Sequence, residues 1–129
     1  MIGWILSAVV ILSLLAIGLG VLVAPRRSSE QYGIVLDDPR ALAFIRAMGV
    51  RDAAIGGLLA LIALAQTRDL LGWAVGVTAS IAVVDFLVVT GDRRITGSGN
   101  AGRLDAARVL HAGGAVGLLV TAAVLLAGY

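Results

Sequence analysis

Residues 2–24 form an unbroken run without a charged side chain, roughly 35 Å long as a helix. That length matches the hydrocarbon thickness of a bilayer. In hydrocarbon a segment must satisfy its own backbone hydrogen bonds, which a helix does. The run does not read as a cleaved leader, because Arg26 and Arg27 follow it and no basic residue precedes it. A retained first span is the consequence, and it commits the chain to a membrane.

The remaining sequence repeats the pattern less cleanly. A second helix is expected over residues 39–66, started by Asp38 as N-cap and Pro39 at the first helical position. Its uninterrupted apolar part, residues 53–65, is too short to cross a bilayer, since about 20 residues are needed. The span must therefore take in Arg51 and Asp52. A third helix over residues 70–90 carries Asp85, and a fourth over residues 104–128 carries Asp105, Arg108 and His111 in its first turns. Residues 25–38 and the Gly-rich residues 91–103 read as two long loops, the latter as a flexible one. Residues 67–69 read as a tight turn. The expected fold is all-α, a four-helix transmembrane bundle forming a single integral membrane domain over residues 1–129.

Composition agrees. The chain is 60% hydrophobic and only 14% charged, against about a quarter charged in ordinary soluble domains, and its mean hydropathy is +1.02. With no cysteine, disulfides, thiol redox chemistry and thiolate metal sites are excluded, as are the CxxC-dependent four-helix quinone and vitamin K epoxide reductases. One histidine makes no multi-histidine metal site, and neither a metal nor a cofactor is called for. The isoelectric point near 9.9 invites a nucleic-acid reading, but there is no lysine and the arginines gather at helix ends, where topology accounts for them. No nucleic-acid partner is expected. Arginine-only basicity with abundant Ala, Gly and Val points to a GC-rich bacterial genome.

Arginine placement sets the orientation. Arg26, Arg27, Arg40, Arg93, Arg94 and Arg103 lie in or beside the two long loops, and Arg46, Arg51 and Arg108 lie in the adjoining helix halves. Only Arg68 lies at the other end. Both long loops should face the cytoplasm and both termini the outside of the cell membrane. Trp4, Trp73 and Tyr129 map to the outer boundary, as an aromatic belt does.

Glycines supply the packing signal. Gly18 and Gly20, Gly49, Gly56 and Gly57, Gly72 and Gly76, and Gly113, Gly114 and Gly117 put small residues on every span, where they let helix backbones approach closely. Packing within the bundle is the plain reading. A homo-oligomer is the sharper one, since four helices bury only a thin core.

The ionisable groups inside the spans are the functional signal. At ~1.5 Å per residue, Asp52, Asp85 and His111 fall in one layer, ~6–7 Å below the cytoplasmic boundary. Asp52 shares a helix face with Met48, Gly49, Gly56 and Leu59; Asp85 with Thr78, Ile81 and Ala82; His111 with Arg108, Gly114 and Ala115. Side chains lean toward their helix N-terminus, so Arg46, Arg51 and Arg108 can reach toward the cytoplasm, whereas Asp85 leans inward and needs a proton, a cationic partner or water. A structural reading stands beside each: a snorkelling Arg46, inter-helix ties at Arg51, Asp52 and Asp85, a packing His111, a helix-end pair of Asp105 with Arg108.

Two stretches carry a resemblance. GVRDAAIGGLL, residues 49–59, and HAGGA, starting at His111, resemble an uncharacterised family of small four-helix integral membrane proteins of bacteria and fungi, a domain of unknown function. The resemblance covers most of the chain. It implies that Arg51, Asp52, Gly56 and His111 belong to a family pattern and brings no activity with it. Small multidrug transporters have a similar length and helix number, but they require a Glu in the first helix, which has no ionisable residue here.

The leading expectation is an intramembrane polar site binding a small amphiphilic or lipid-like molecule. Acid–base isomerase, cyclase or hydrolase chemistry would use Asp85 or Asp52 as base, His111 as acid or proton shuttle, and Arg51 and Arg108 to hold an anion. The alternatives are a proton-coupled exporter and a structural accessory subunit of a membrane complex.

Overall fold

The computed structural model describes residues 1–31, 38–91 and 101–129, excepting the side chains of Gln31, Val89, Gly91 and residues 101–107. The secondary structure of these residues is α-helical: α1 (Ile2–Val23), α2 (Pro25–Gln31), α3 (Pro39–Leu64), α4 (Arg68–Gly91) and α5 (Ala101–Leu126). Helices α1, α3, α4 and α5 are each long and apolar enough to cross a membrane. The chain is a four-helix bundle of the multi-pass membrane type.

The helix starts follow local chemistry. Asp38 has extended backbone angles and its carboxylate accepts from the Arg40 N–H at 2.9 Å, while Pro39 occupies the first turn, where its missing N–H costs nothing. Asp38→Ala should lower stability by about 1 kcal/mol, measured by unfolding in mixed micelles. Residues 25–31, expected to be loop, are instead the short helix α2. Ala24 breaks α1 with φ −131°, Pro25 restarts the helix, and the Ser28 and Ser29 hydroxyls donate to the Ala24 and Arg26 carbonyls. Both serines are buried, so residues that look like loop polarity serve the helix's own backbone. The tight turn falls at residues 65–67, with Gln66 at φ 56°, and Arg68 already opens α4. The fourth span starts earlier than expected, at Ala101. The proposed flexibility of the second loop concerns residues outside those described.

All four spans bury a row of residues spaced three, four or seven apart. The rows run through Ser7, Ile11, Gly18 and Val21 on α1; Leu42, Gly49, Gly56 and Leu59 on α3; Leu71, Val75 and Thr78 on α4; and Ala115, Leu118, Ala122 and Leu125 on α5. That spacing keeps one seam turned to the partner helix. The buried hydroxyls on these rows donate to carbonyls four residues back, Ser7 to Gly3 at 2.7 Å and Thr78 to Ala74 at 2.9 Å, so none is left unsatisfied in an apolar setting.

The bundle is built from two tightly packed pairs. Helix α1 lies along α3, and α4 along α5, while α1 touches α5 and α3 touches α4 far more sparsely. Glycine makes the first pair close. A Cβ on Gly18 would come within 2.5 Å of the Ala53 nitrogen and 2.7 Å of the Gly49 oxygen, and one on Gly49 within 2.8 Å of the Gly18 oxygen. In the second pair a Cβ on Gly72 would meet the Leu126 side chain at 2.9 Å.

Not every glycine is used this way. Gly20, Gly57, Gly113, Gly114 and Gly117 have nothing within 4 Å of an added Cβ. The Gly113–Gly117 motif, expected at a helix contact, faces outward because α5 turns Ala115 and Leu118 to the core. Gly113→Ala and Gly117→Ala should therefore each raise stability by about 0.5–1 kcal/mol through helix propensity alone, in the same unfolding assay.

The apolar core shared by all four spans, Ile11, Leu59, Leu71, Val75, Ala79, Leu118, Ala122 and Leu125, lies in the half nearer the chain termini. At that end the Gly3 N–H donates to the Tyr129 carbonyl at 3.2 Å. The termini and the 65–67 turn thus share one end, and α1 and α4 end, and α3 and α5 begin, at the other.

Candidate functional site

Away from the shared core, the inward rows change character. Past Ala79 on α4 and before Ala115 on α5, no described side chain is fully buried. The next positions on the rows are Asp85, then His111 and Arg108, and across from them Asp52 on α3. The heights agree. Counted from the termini end at ~1.5 Å per residue, Arg51 and Asp52 stand ~18–20 Å along α3, Asp85 ~25 Å along α4, and His111 and Arg108 ~22 and ~27 Å along α5.

Arg51 joins two of these helices. Its Nε donates to Asp52 Oδ1 at 3.0 Å and its Nη2 to Asp85 Oδ2 at 3.1 Å. The Arg51 side chain is 38% exposed, that of Asp52 18% and that of Asp85 29%. Helix direction explains the reach. Helix α3 begins at the loop end, so Arg51 leans that way, while α4 begins at the termini end, so Asp85 leans back toward Arg51. The ~5 Å difference in height between their backbones is spanned by the two side chains meeting. Asp85 has the cationic partner that its position demanded, and Arg51 turns into the bundle where Arg46 stays exposed.

The Gly18–Gly49–Ala53 contact sits at this height on α3, with Gly49 one turn from Asp52. Close approach of α1 thereby fixes the rotation of α3 that presents Asp52. The two carboxylates each use one oxygen in these bonds, leaving Asp52 Oδ2 and Asp85 Oδ1 as acceptors for another group. Arg108 and His111 are half-buried on the α5 row, at heights that bracket that of Asp85. The five residues lie within ~9 Å in height, and direct bonds link Arg51, Asp52 and Asp85. The Asp105 side chain lies outside those described, so its pairing with Arg108 does too.

Sequence reasoning passed over Arg68. At the termini end an open depression of about 570 Å³ is lined by Trp4, Thr67, Arg68, Asp69 and Leu70. Arg68 Nη1 donates to the Gly128 carbonyl at 2.9 Å, and the guanidinium lies over Gly128, whose φ of +92° suits glycine. Asp69 is 3.9 Å from Arg68 Nε. Arg68 clamps the end of α5 to the start of α4. Its solitary place at that end was the available signal.

Residues 11–125 match the family model Domain of unknown function (DUF4267), and the chain belongs to that family. No curated protein and no solved structure matches it. The matched region includes the whole Arg51, Asp52, Asp85, Arg108 and His111 layer.

Proposed function

We propose that this layer is an intramembrane site that binds a small amphiphilic or lipid-like molecule in the cell membrane, with the termini outside and the arginine-bearing loops in the cytoplasm. The observation that carries the reading is the Arg51 bridge. It places a hydrogen-bonded cation and two carboxylates with spare acceptor oxygens on the sparsely packed boundary between the helix pairs. Ionisable groups at such depth are costly in hydrocarbon and call for a reason beyond packing. A polar headgroup fits among them while an apolar tail continues between α3 and α4. Acid–base chemistry on the ligand would use Asp85 or Asp52 as base and His111 as acid or shuttle, with Arg51 and Arg108 holding developing negative charge.

Mass spectrometry of molecules extracted from protein purified in native-membrane discs tests this. The wild type should carry an amphiphile enriched over the surrounding lipids and near one per chain. Arg51→Lys, which keeps the charge but loses the planar fork, should reduce that enrichment several-fold. Extracts that merely match the surrounding lipids would sink the reading.

The same bond favours a second reading, in which Arg51 is a tie between the pairs and the protein is a structural subunit of a larger assembly. It predicts a stoichiometric protein partner on purification and no enriched amphiphile.

A further inference from the structure

The packing is uneven along the bundle. Close glycine contacts hold α1 to α3 and α4 to α5, and the core that unites the two pairs is confined to the half nearer the termini. There the pairs are also joined by the Gly3–Tyr129 hydrogen bond and by the three-residue turn between α3 and α4. In the opposite half the buried apolar side chains among the described residues include Val21 and Leu42, which belong to the α1–α3 pair, and Pro25 on α2. Helix α2 packs against that same pair and also contacts α5. Among the described residues, the side-chain hydrogen bond that joins α3 to α4 in this half is Arg51 Nη2 to Asp85 Oδ2.

We propose that the protein moves as two rigid helix pairs hinged at the end where its termini meet, and that an amphiphile with an anionic headgroup opens the opposite end by taking Arg51 from Asp85. The hinge rests on the packing. The choice of ligand rests on the reading of the layer as a binding site. A phosphate or carboxylate offers the guanidinium a two-oxygen acceptor, whereas Asp85 gives it one bond at 3.1 Å. Closely packed pairs with a sparse boundary move by hinging or shear rather than by deforming internally. A ligand shifts that equilibrium only through contacts that differ between the two states, and the exchange of partners on Arg51 supplies that difference. Opening between α3 and α4 faces hydrocarbon, so a tail can follow its headgroup sideways from the bilayer.

The chain has no cysteine, so paired cysteines can be spin-labelled without background. Exposed positions suit the experiment: Phe44 with Val88 across the loop end of the boundary, Leu61 with Leu70 across its hinge end, and Leu19 with Phe44 within one pair. In phosphatidylcholine nanodiscs, Asp85→Asn should move the Phe44–Val88 distance distribution to longer values and leave the other two in place. Phosphatidic acid in the discs should do the same to the otherwise wild-type protein. If Asp85→Asn moves none of the three distances, the hinge is wrong. If it moves all three, the pairs are not rigid and the proposal fails. If Asp85→Asn opens the boundary and phosphatidic acid does not, the anionic ligand is overturned while the hinge stands. None of these outcomes depends on whether an amphiphile co-purifies, which tests the binding reading separately.

Discussion

Gly18→Val should unfold or severely weaken the bundle, with an expected loss of about 3 kcal/mol in mixed-micelle unfolding, the upper part of the usual range for overpacking. The reason is what the new carbon meets. Its nearest neighbours would be the Ala53 nitrogen at 2.5 Å and the Gly49 oxygen at 2.7 Å, both backbone atoms. A side chain could rotate away; a helix backbone can yield only by moving the helix. The gain in helix propensity from replacing glycine with valine, about 0.3 kcal/mol, does not offset that. Gly20→Val is the control, because it lies two residues away on the same helix with open space around it. The pair separates local packing from a general intolerance of branched residues in α1, and intrinsic fluorescence of Trp4 and Trp73 provides the readout. Equal melting of the two variants would mean that the α1–α3 contact does not hold the bundle together. Because that contact sets the rotation of α3 at Asp52, loss of packing should also release Asp52 from the inward row.

Much of this was legible in the sequence, for identifiable reasons. Span number followed from length and charge spacing, since a bilayer imposes a length scale that soluble folds lack. Asp38-Pro39 marked a helix start because capping is local chemistry. That Asp52, Asp85 and His111 lie within ~7–8 Å in height followed from helical rise alone. What failed depends on rotation and tertiary context. Gly113 and Gly117 have the spacing of a helix contact, and only the choice of Ala115 and Leu118 as the core row turns them outward. Helix α2 was hidden because serine reads as loop until its hydroxyl is seen to return to the helix's own carbonyls. The Arg51–Asp85 partnership was open because two carboxylates and two arginines lay at similar depth, and the direction in which each side chain leans had to be combined with the packing of the pairs.

Arg51→Met should be the most damaging change in the polar layer, and more so than Asp85→Asn. Removing the guanidinium leaves Asp52 and Asp85 in a poorly solvated seam without the countercharge they share, whereas Asp85→Asn removes one of two acceptors and leaves Arg51 with Asp52. Deleting one partner of a buried ion pair costs roughly 3–5 kcal/mol because an unpaired charge is stranded. The lower end applies here, since Arg51 is 38% exposed. The triple change Arg51→Met, Asp52→Asn, Asp85→Asn carries no stranded charge and should recover most of the loss. Measured by unfolding in mixed micelles, the order of stability should be triple variant and Asp85→Asn above Arg51→Met. If Arg51→Met alone is as stable as the wild type, the carboxylates find protons or water without help, and the guanidinium is a dispensable tie. If instead the triple variant stays folded but loses the enriched amphiphile, stability and binding come apart at the same three residues. That separation is what distinguishes a site from a strut, because a strut can be replaced by apolar packing and a site cannot.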